Sequence, residues 1–234
     1  MVVKTLAKRL VGDTALGMLE YYRSPELRKS WGGPFNAQEG RQEIFLDLVR
    51  RIRFSAIAET GTYRGTTTHF LHAASSLPVY TVESHARFYG YARCRFLWDR
   101  QVRVTRGDSV TFLMNLSTRP DLRGRRMFFY LDAHCDEGSP VREEIRILFE
   151  AWPDAVAMLD DFQVPGDDGY SFDVYANGEV LGLEYLRRPD LAAFFPSKRS
   201  DRETGMKRGC VVLAAAPDVI AQLGEVGSLA LHPA

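Results

Sequence analysis

Carboxylates recur at one kind of position in this chain, at the end of a short apolar run. Five such runs, rich in Val, Ile, Ala, Phe or Tyr, end at Glu59, Glu83, Asp108, Asp132 and Asp160. Runs of this kind, separated by stretches long enough for a helix, indicate parallel strands of an α/β sheet. Such sheets bind ligands at the carboxyl ends of their strands. The pattern therefore predicts that these acids gather around one crevice.

A turn with two glycines follows the first of these runs. Gly61 and Gly65 lie in residues 59–65, which also contain Thr62 and lead into a predicted helix. Glycine permits a tight turn and lets a ligand approach the backbone N–H groups at a helix start. The spacing is not the G-x-G-x-x-G of a dinucleotide fold, which argues against a nicotinamide-dependent oxidoreductase. An ordinary glycine turn is the alternative.

Two later strand ends have groups that suit a nucleoside. Glu83, followed by Ser84, is placed to accept hydrogen bonds from both hydroxyls of a ribose, although nicotinamide enzymes use an acid in the same place. Asp108, followed by Ser109, could reach an adenine amino group or could cap the helix that begins near Ser109. Both interpretations of Asp108 stay open.

Taken together, these motifs resemble the class I S-adenosylmethionine-dependent methyltransferases over residues 50 to 216. The resemblance implies that the glycine loop wraps the methionine part of S-adenosylmethionine, that the acid at the second strand holds the ribose, and that the acid at the third approaches the adenine. The cofactor-binding residues that it implies are Glu59, Gly61, Thr62, Gly65, Glu83, Ser84, Asp108 and Ser109.

Asp132 and the pair Asp160-Asp161 lead to a metal hypothesis. Adjacent strand ends would bring three carboxylates together, and their mutual repulsion would raise their pKa values unless a cation lay between them. Oxygen ligands favour magnesium or another hard divalent ion. This part resembles the metal-dependent macrocin-type O-methyltransferases and their cephalosporin-hydroxylase-like relatives, and the resemblance makes Asp132, Asp160 and Asp161 the metal ligands. The alternative is that Asp160 caps a turn and Asp161 faces water.

His134 is the candidate catalytic base, together with Asp132 as a second catalytic residue. An imidazole titrates near neutrality and could accept the proton of a hydroxyl as its oxygen attacks the sulfonium methyl group. A metal ion would ease the same step by stabilising the developing oxyanion. His134 could equally be a further metal ligand or a structural hydrogen-bonding group.

The predicted function is transfer of a methyl group from S-adenosylmethionine to a hydroxyl of a small molecule, assisted by a divalent metal. A metal-independent methyltransferase that acts on nitrogen or another atom is the main alternative. A nicotinamide-dependent oxidoreductase and a binding module with a decayed site are further alternatives. The sequence decides neither the acceptor nor whether the chain forms a homo-oligomer.

Composition narrows the class of partner. Lys and Arg number 30, as do Asp and Glu, so the formal net charge is zero and nothing favours nucleic acid or an anionic membrane. The three cysteines, Cys94, Cys135 and Cys210, have no disulfide or zinc spacing, which indicates reduced thiols and a cytoplasmic location. Charged residues interrupt every apolar stretch near the N-terminus, so no membrane span is expected.

The expected fold is a seven-stranded Rossmann-like α/β sheet with helices on both faces. It is mostly parallel and ends in an antiparallel hairpin formed by residues 191–195 and 209–215, because the polar connection between them has no apolar periodicity for a crossover helix. Residues 1–50 are expected to form a helical cap or lid, and residues 51–234 the S-adenosylmethionine-binding domain. A helix is expected over 38–53 and another over 178–187.

Overall fold

A computed structural model describes residues 12–133 and 140–232 of the 234-residue chain. His134, the predicted base, lies outside the described residues. An eight-stranded sheet organises the rest, in the order β3-β2-β1-β4-β5-β7-β6-β8. Its strands are β1 (Ala56–Thr60), β2 (Val79–Glu83), β3 (Val102–Arg106), β4 (Met127–Leu131), β5 (Val156–Asp160), β6 (Ala192–Pro196), β7 (Cys210–Ala214) and β8 (Leu229–Leu231).

Helices lie before, between and after the strands. The α-helices are α1 (Asp13–Arg23), α2 (Glu39–Arg51), α3 (Thr66–Ser75), α4 (Ala86–Arg95), α5 (Ser109–Ser117), α6 (Val141–Ala151), α7 (Leu183–Leu186) and α8 (Pro217–Leu223). Short 3-10 segments cover Pro25–Gly32, Pro34–Ala37 and Ser200–Arg202. No helix in the described part of the chain has both the length and the apolar character needed to cross a membrane.

The predicted architecture is confirmed. Strands β1 to β5 are mutually parallel, whereas β7 pairs antiparallel with both β5 and β6. The pairing of Ala193 with Leu213 shows the expected C-terminal hairpin. The sheet has one strand more than expected, since the three-residue β8 pairs antiparallel with β6. A strand of three residues is too short to show an alternation of polar and apolar residues, so the sequence does not predict it. It is held in place by its pairing with β6.

The helix expected over 178–187 is the other difference. Only α7 is helical there, and the preceding residues form a turn in which Val174 bridges Val180 and Tyr175 N donates to Glu179 O at 2.9 Å. Asn177-Gly178, with Gly178 at φ 83°, is typical of a tight turn between extended segments. The turn preference of this dipeptide therefore overrides the helical tendency of its neighbours.

The central strands are buried on both faces, which explains why β1, β2, β4, β5 and β7 are nearly continuous apolar runs, whereas the edge strand β3 is largely exposed. Phe128 and Tyr130 of β4 face α2 and α8, whereas Phe129 and Leu131 face α5 and α6. Helix α2 supplies Ile44, Phe45 and Leu48 to the first of these layers, so it packs in the core against one face of the sheet. The carboxyl ends of β1 to β5 are left open between the helices, and they form one edge.

Helices α1 and α4 cross at unusually close range because each has a glycine at the crossing. A Cβ atom added at Gly17 would lie 1.8 Å from Arg87 O, and one added at Gly90 would lie 2.0 Å from Thr14 O. Glu20 of α1 also pairs with Arg87 of α4 at 3.0 Å. This crossing fixes the N-terminal helix beside the second strand end.

We predict that Gly90→Ala lowers the free energy of unfolding by about 1–3 kcal/mol, because the added methyl group must push α1 away. Gly227→Ala is the matched control, since no atom lies within 4 Å of the Cβ position there. Urea denaturation of both variants checks this prediction. Equal midpoints for the two variants would contradict the close crossing.

Candidate active site

A cavity of about 770 Å³ opens at the carboxyl edge of the sheet. That volume lies within the usual range for a small-molecule site. It brings together most of the residues that the sequence analysis selected. Those in its wall are Gly61, Thr62, Glu83, Ser84, Asp108, Ser109, Asp132 and Asp161. Glu59 and Asp160, each 1% exposed, are buried behind this wall.

The glycine loop touches the end of β4 at Gly61. This residue has φ 88°, and a Cβ atom there would lie 2.2 Å from Asp132 O. Asp132 N also donates to Thr60 O at 3.0 Å. A side chain is therefore excluded at Gly61, and the loop backbone faces the cavity. Gly65, also left-handed, caps α3 against the ring of Phe96.

Glu83 fixes the loop and faces the cavity at the same time. Its Oε2 accepts from Tyr63 N and its Oε1 from His85 N, both at 2.7 Å. Burial raises the pKa of Glu83, and these two N–H bonds oppose that effect. Each carboxylate oxygen has a second lone pair, so Glu83 retains the capacity to accept hydroxyl donors from a ligand.

Asp108 is the N-cap of α5. Its Oδ1 accepts from Thr111 N at 2.8 Å, which lowers its pKa. The sequence left two interpretations of Asp108 open, and this hydrogen bond shows that Asp108 does cap the helix. Asp108 and Ser109 also line the cavity, so the adenine contact is not excluded by the cap.

Glu59 is buried behind the cavity wall and is not part of its lining. Thr68 and Thr81 donate their hydroxyls to its Oε2, and the carboxyl group lies under the loop. Burial raises the pKa of Glu59 to about 8, although both threonines oppose the rise and nearby Asp132 and Glu83 add to it. Glu59 therefore stabilises the floor of the loop, and a direct cofactor contact stays a prediction.

The end of β5 holds a fully buried ion pair. Arg41, near the start of α2, donates from Nη1 to Asp160 Oδ1, and neither side chain is exposed. Asp160 Oδ2 accepts from Tyr130 OH at 2.6 Å, and Oδ1 also accepts from Asp161 N at 2.7 Å. Burial by itself would lower the pKa of Arg41, but the charge of Asp160 raises it well above its ordinary value.

Asp161 points the other way, toward the cavity. It has φ 56°, a left-handed conformation that Asp adopts more readily than most residues. Its Oδ1 accepts from Arg208 Nε, and Arg208 Nη2 donates to Asp173. The two neighbouring aspartates therefore face opposite sides of the strand end, and each is paired with its own arginine.

These contacts do not fit the predicted set of three metal ligands. Asp160 uses both oxygens for Arg41, Tyr130 and a backbone N–H, and it is shielded from the cavity. Among residues 12–133 and 140–232, no group of three or more His, Cys, Asp or Glu side chains is arranged to hold an ion. Asp132 and Asp161 line the cavity, but Asp160 is not available beside them.

Arg41 is the site residue that the sequence analysis missed. It lies in the helix expected over 38–53, whose apolar stripe includes Ile44, Phe45 and Leu48. Arg41 lies three and four positions before the first two of these residues, on the same stripe of the helix. An arginine on the buried stripe of a helix requires a buried partner, and this signal could have identified it.

The N-terminal segment closes one side of the cavity. Trp31 and Asn36, both with left-handed φ, line it together with Met206 and Arg208. Gln38 binds both backbone groups of Arg208, and Met206 N donates to Asn36 O at 3.1 Å. Arg64 of the glycine loop pairs with Glu20 of α1 at 3.5 Å.

Solved structures of methyltransferases share this fold. The O-methyltransferase from Bacillus cereus in complex with SAH is 17% identical, with a TM-score of 0.56 over 92% of this chain and 97% of that one. The SAM complex of TomG from Streptomyces achromogenes, involved in tomaymycin synthesis, is 19% identical, with a TM-score of 0.55 over 92% and 96%. SAH-bound PaMTH1 of Podospora anserina is 12% identical, with a TM-score of 0.53 over 92% and 94%.

No protein-family model and no curated protein sequence matches the chain. The structural likeness extends over almost the whole length of each methyltransferase, so it covers the complete domain. It confirms the Rossmann-like methyltransferase fold that the motif order implied.

We predict that Glu59 makes the stability of the protein depend on pH. Its folded pKa of about 8 lies above the ordinary value of 4.5, so the stability that it contributes is fully present below pH 4.5 and is lost as the pH rises through 8. The loss is on the order of 3–5 kcal/mol. Glu59→Gln keeps an acceptor for both threonines and should flatten the profile measured by urea denaturation.

The exposed Glu26 provides the control, because Glu26→Gln should leave the profile of the parent protein unchanged. A Glu59→Gln profile as steep as that of the parent would show that Glu59 is ionised in the folded protein.

Proposed function

We propose that this protein transfers a methyl group from S-adenosylmethionine to a hydroxyl group of a small molecule. The observation that carries the proposal is the composition of one cavity wall. The glycine loop, Glu83 and the cap of α5 line the same cavity as Asp132 and Asp161. The nearby fold relatives support it, since they include O-methyltransferases with SAM or SAH bound.

The cofactor side fits a nucleoside with an amino-acid tail. Gly61 lets the loop backbone lie against Asp132 O, where a Cβ atom would not fit, and Glu83 lines the same cavity, where its carboxylate would accept ribose hydroxyls. Thr62 and Ser84 add polar groups to the same wall. Asp108 would accept from the adenine amino group while its other oxygen keeps the helix cap.

S-adenosylmethionine supplies an electrophilic methyl group on a sulfonium, whose C–S electron pair stays with sulfur when an acceptor oxygen displaces it in line. The protein's contribution is to hold that oxygen against the methyl group, because proximity alone can reach effective molarities on the order of 10⁵–10⁸ M in favourable cases. Asp132 lines the cavity and can take the hydroxyl proton as the new bond forms. His134 remains the predicted base outside the described residues.

The resemblance implies a magnesium ion, but Arg41 occupies the carboxylate of Asp160 that would have bound it. The proposed reaction therefore proceeds without a metal. This contact favours methyl transfer without a metal, and it does not decide between a hydroxyl and a nitrogen acceptor. The acceptor atom, oxygen or nitrogen, follows from the products of the assay described below.

The mouth of the cavity indicates what kind of acceptor fits. Trp31 is 60% exposed and Met206 49% exposed, and both side chains line the opening. Exposed apolar side chains at a cavity rim favour a ligand with an apolar face. We therefore propose a small-molecule acceptor with a hydroxyl group on such a face.

Cys94 and Cys210 are free thiols, which agrees with the proposed cytoplasmic location.

The test of the function is binding of the cofactor and its product. Isothermal calorimetry should show that the parent protein binds S-adenosylmethionine and S-adenosylhomocysteine at one site. Glu83→Ala should weaken both by roughly 10- to 150-fold, the value of lost charged hydrogen bonds. Glu225→Ala, an exposed residue paired with Arg51 at the opposite edge of the sheet, should bind as the parent does.

Methyl transfer itself is followed with radiolabelled S-adenosylmethionine and a panel of hydroxyl and amine acceptors, with mass spectrometry of the products. A parent protein that binds neither S-adenosylmethionine nor S-adenosylhomocysteine would refute the proposal. Products methylated only at nitrogen would move it to the alternative acceptor class.

A further prediction separates the two roles of Asp108. Serine is as good an N-cap as aspartate but is too short to reach an adenine. Asp108→Ser should therefore leave the melting temperature unchanged and weaken S-adenosylhomocysteine binding by about fivefold, the value of one hydrogen bond. Calorimetry and thermal denaturation of the same sample measure both. Unchanged affinity would leave Asp108 with the capping role alone.

A further inference from the structure

Both carboxylates at the end of β5 are neutralised by arginines that come from elsewhere in the chain. Arg41 of α2 reaches Asp160 inside the core, and Arg208, which precedes β7, reaches Asp161 at the cavity. Buried charges are stable only when they are paired and hydrogen-bonded. Arg41 supplies the positive charge that the neighbouring carboxylates require, and this is the electrostatic task for which a metal ion was expected.

A divalent cation and Arg41 cannot share Asp160. The guanidinium group is held on a second side as well, since Nη2 donates to Arg208 O and, at 3.2 Å, to Gly209 O. It is therefore held by Asp160 on one side and by two backbone carbonyl groups on the other. A cation beside it would face like-charge repulsion in a buried setting, where charges are poorly screened. Tyr130 OH covers the remaining oxygen of Asp160.

The same guanidinium connects the core to the cavity wall. Its bond to Arg208 O fixes the backbone from which the Arg208 side chain extends to Asp161. Gln38 binds Arg208 N and O at 2.8 and 2.9 Å, and Gly40 N donates to Glu203 at 3.0 Å. The start of α2 and the 203–208 loop thus form one hydrogen-bonded unit, with Arg41 at its centre.

We propose that Arg41 is the resident cation of this site. It neutralises Asp160 in place of a divalent ion, and it acts as a positioning residue that sets the Asp161–Arg208 pair in the wall of the cavity. The second role rests on the proposed function, in which this part of the wall would face the methyl acceptor. The first role does not depend on the function.

The cation role is tested by Mn²⁺ titration of the parent protein, followed by electron paramagnetic resonance. We expect Asp160→Asn to leave Mn²⁺ binding as it is in the parent, and EDTA or MgCl₂ to leave the melting temperature of the parent unchanged. Stoichiometric Mn²⁺ binding by the parent that is lost in Asp160→Asn would overturn the proposal.

The pairing is tested by a double-mutant cycle. Arg41→Met and Asp160→Asn each leave one buried charge without its partner, so each should lower the melting temperature by roughly 6–20 °C. The double variant should lose clearly less than the sum of the two. The control is Arg51→Met, at the far end of the same helix in an exposed ion pair. This substitution should shift the melting temperature by only a few degrees. Additive losses would overturn the pairing.

The positioning role is tested by hydrogen exchange. Arg41→Lys keeps the charge but cannot bridge the carboxylate and both carbonyl groups. We expect faster exchange in the 203–208 loop of this variant, with exchange in the 61–65 loop and affinity for S-adenosylhomocysteine unchanged. Unchanged exchange in the 203–208 loop would overturn the role. If the parent protein fails to bind S-adenosylhomocysteine, the proposed function fails, while the Mn²⁺ and cycle results still decide the place of Arg41.

Discussion

The last residues of parallel strands lie at one edge of a sheet, and each acid at that edge must be either solvated or neutralised. This constraint organises the molecule. Glu59 avoids it by burial, which raises its pKa and favours the neutral carboxyl, while Glu83 and Asp108 accept backbone N–H bonds. Asp160 requires a full positive charge, and it obtains one from Arg41 on another element. Glu83 and Asp108 line the cavity, whereas Glu59 and Asp160 are buried behind its wall.

The recurrence of acids after apolar runs was enough to predict the sheet and its ligand-binding edge. A strand that is buried on both faces has few polar residues, so the first acid after it marks its end reliably. Glu83 and Asp132 lie where this rule places them, in one cavity. The antiparallel end was also readable, because the connection between β6 and β7 contains too little apolar pattern for a crossover helix.

The charge pairing could not be read in the same way. Arg41 and Asp160 are 119 residues apart, and a sequence does not show which distant arginine reaches a given carboxylate. The left-handed backbone conformation of Asp161 is a local feature, but the sequence does not show it either. This conformation turns two adjacent aspartates to opposite sides. A resemblance between acid positions therefore predicted three ligands around one ion, whereas the contacts divide them. The one signal in the sequence is the position of Arg41 on an apolar helix stripe, because a buried arginine requires a buried acidic partner.

Anomalous diffraction from crystals grown with S-adenosylhomocysteine and MnCl₂ decides whether Arg41 or a metal ion neutralises Asp160, because one data set locates both the nucleoside and any metal. We expect the ribose against Glu83 and no manganese peak within bonding distance of Asp160, with Arg41 still in contact with it. A manganese ion bound by Asp132, Asp160 and Asp161, with Arg41 displaced, would contradict this expectation.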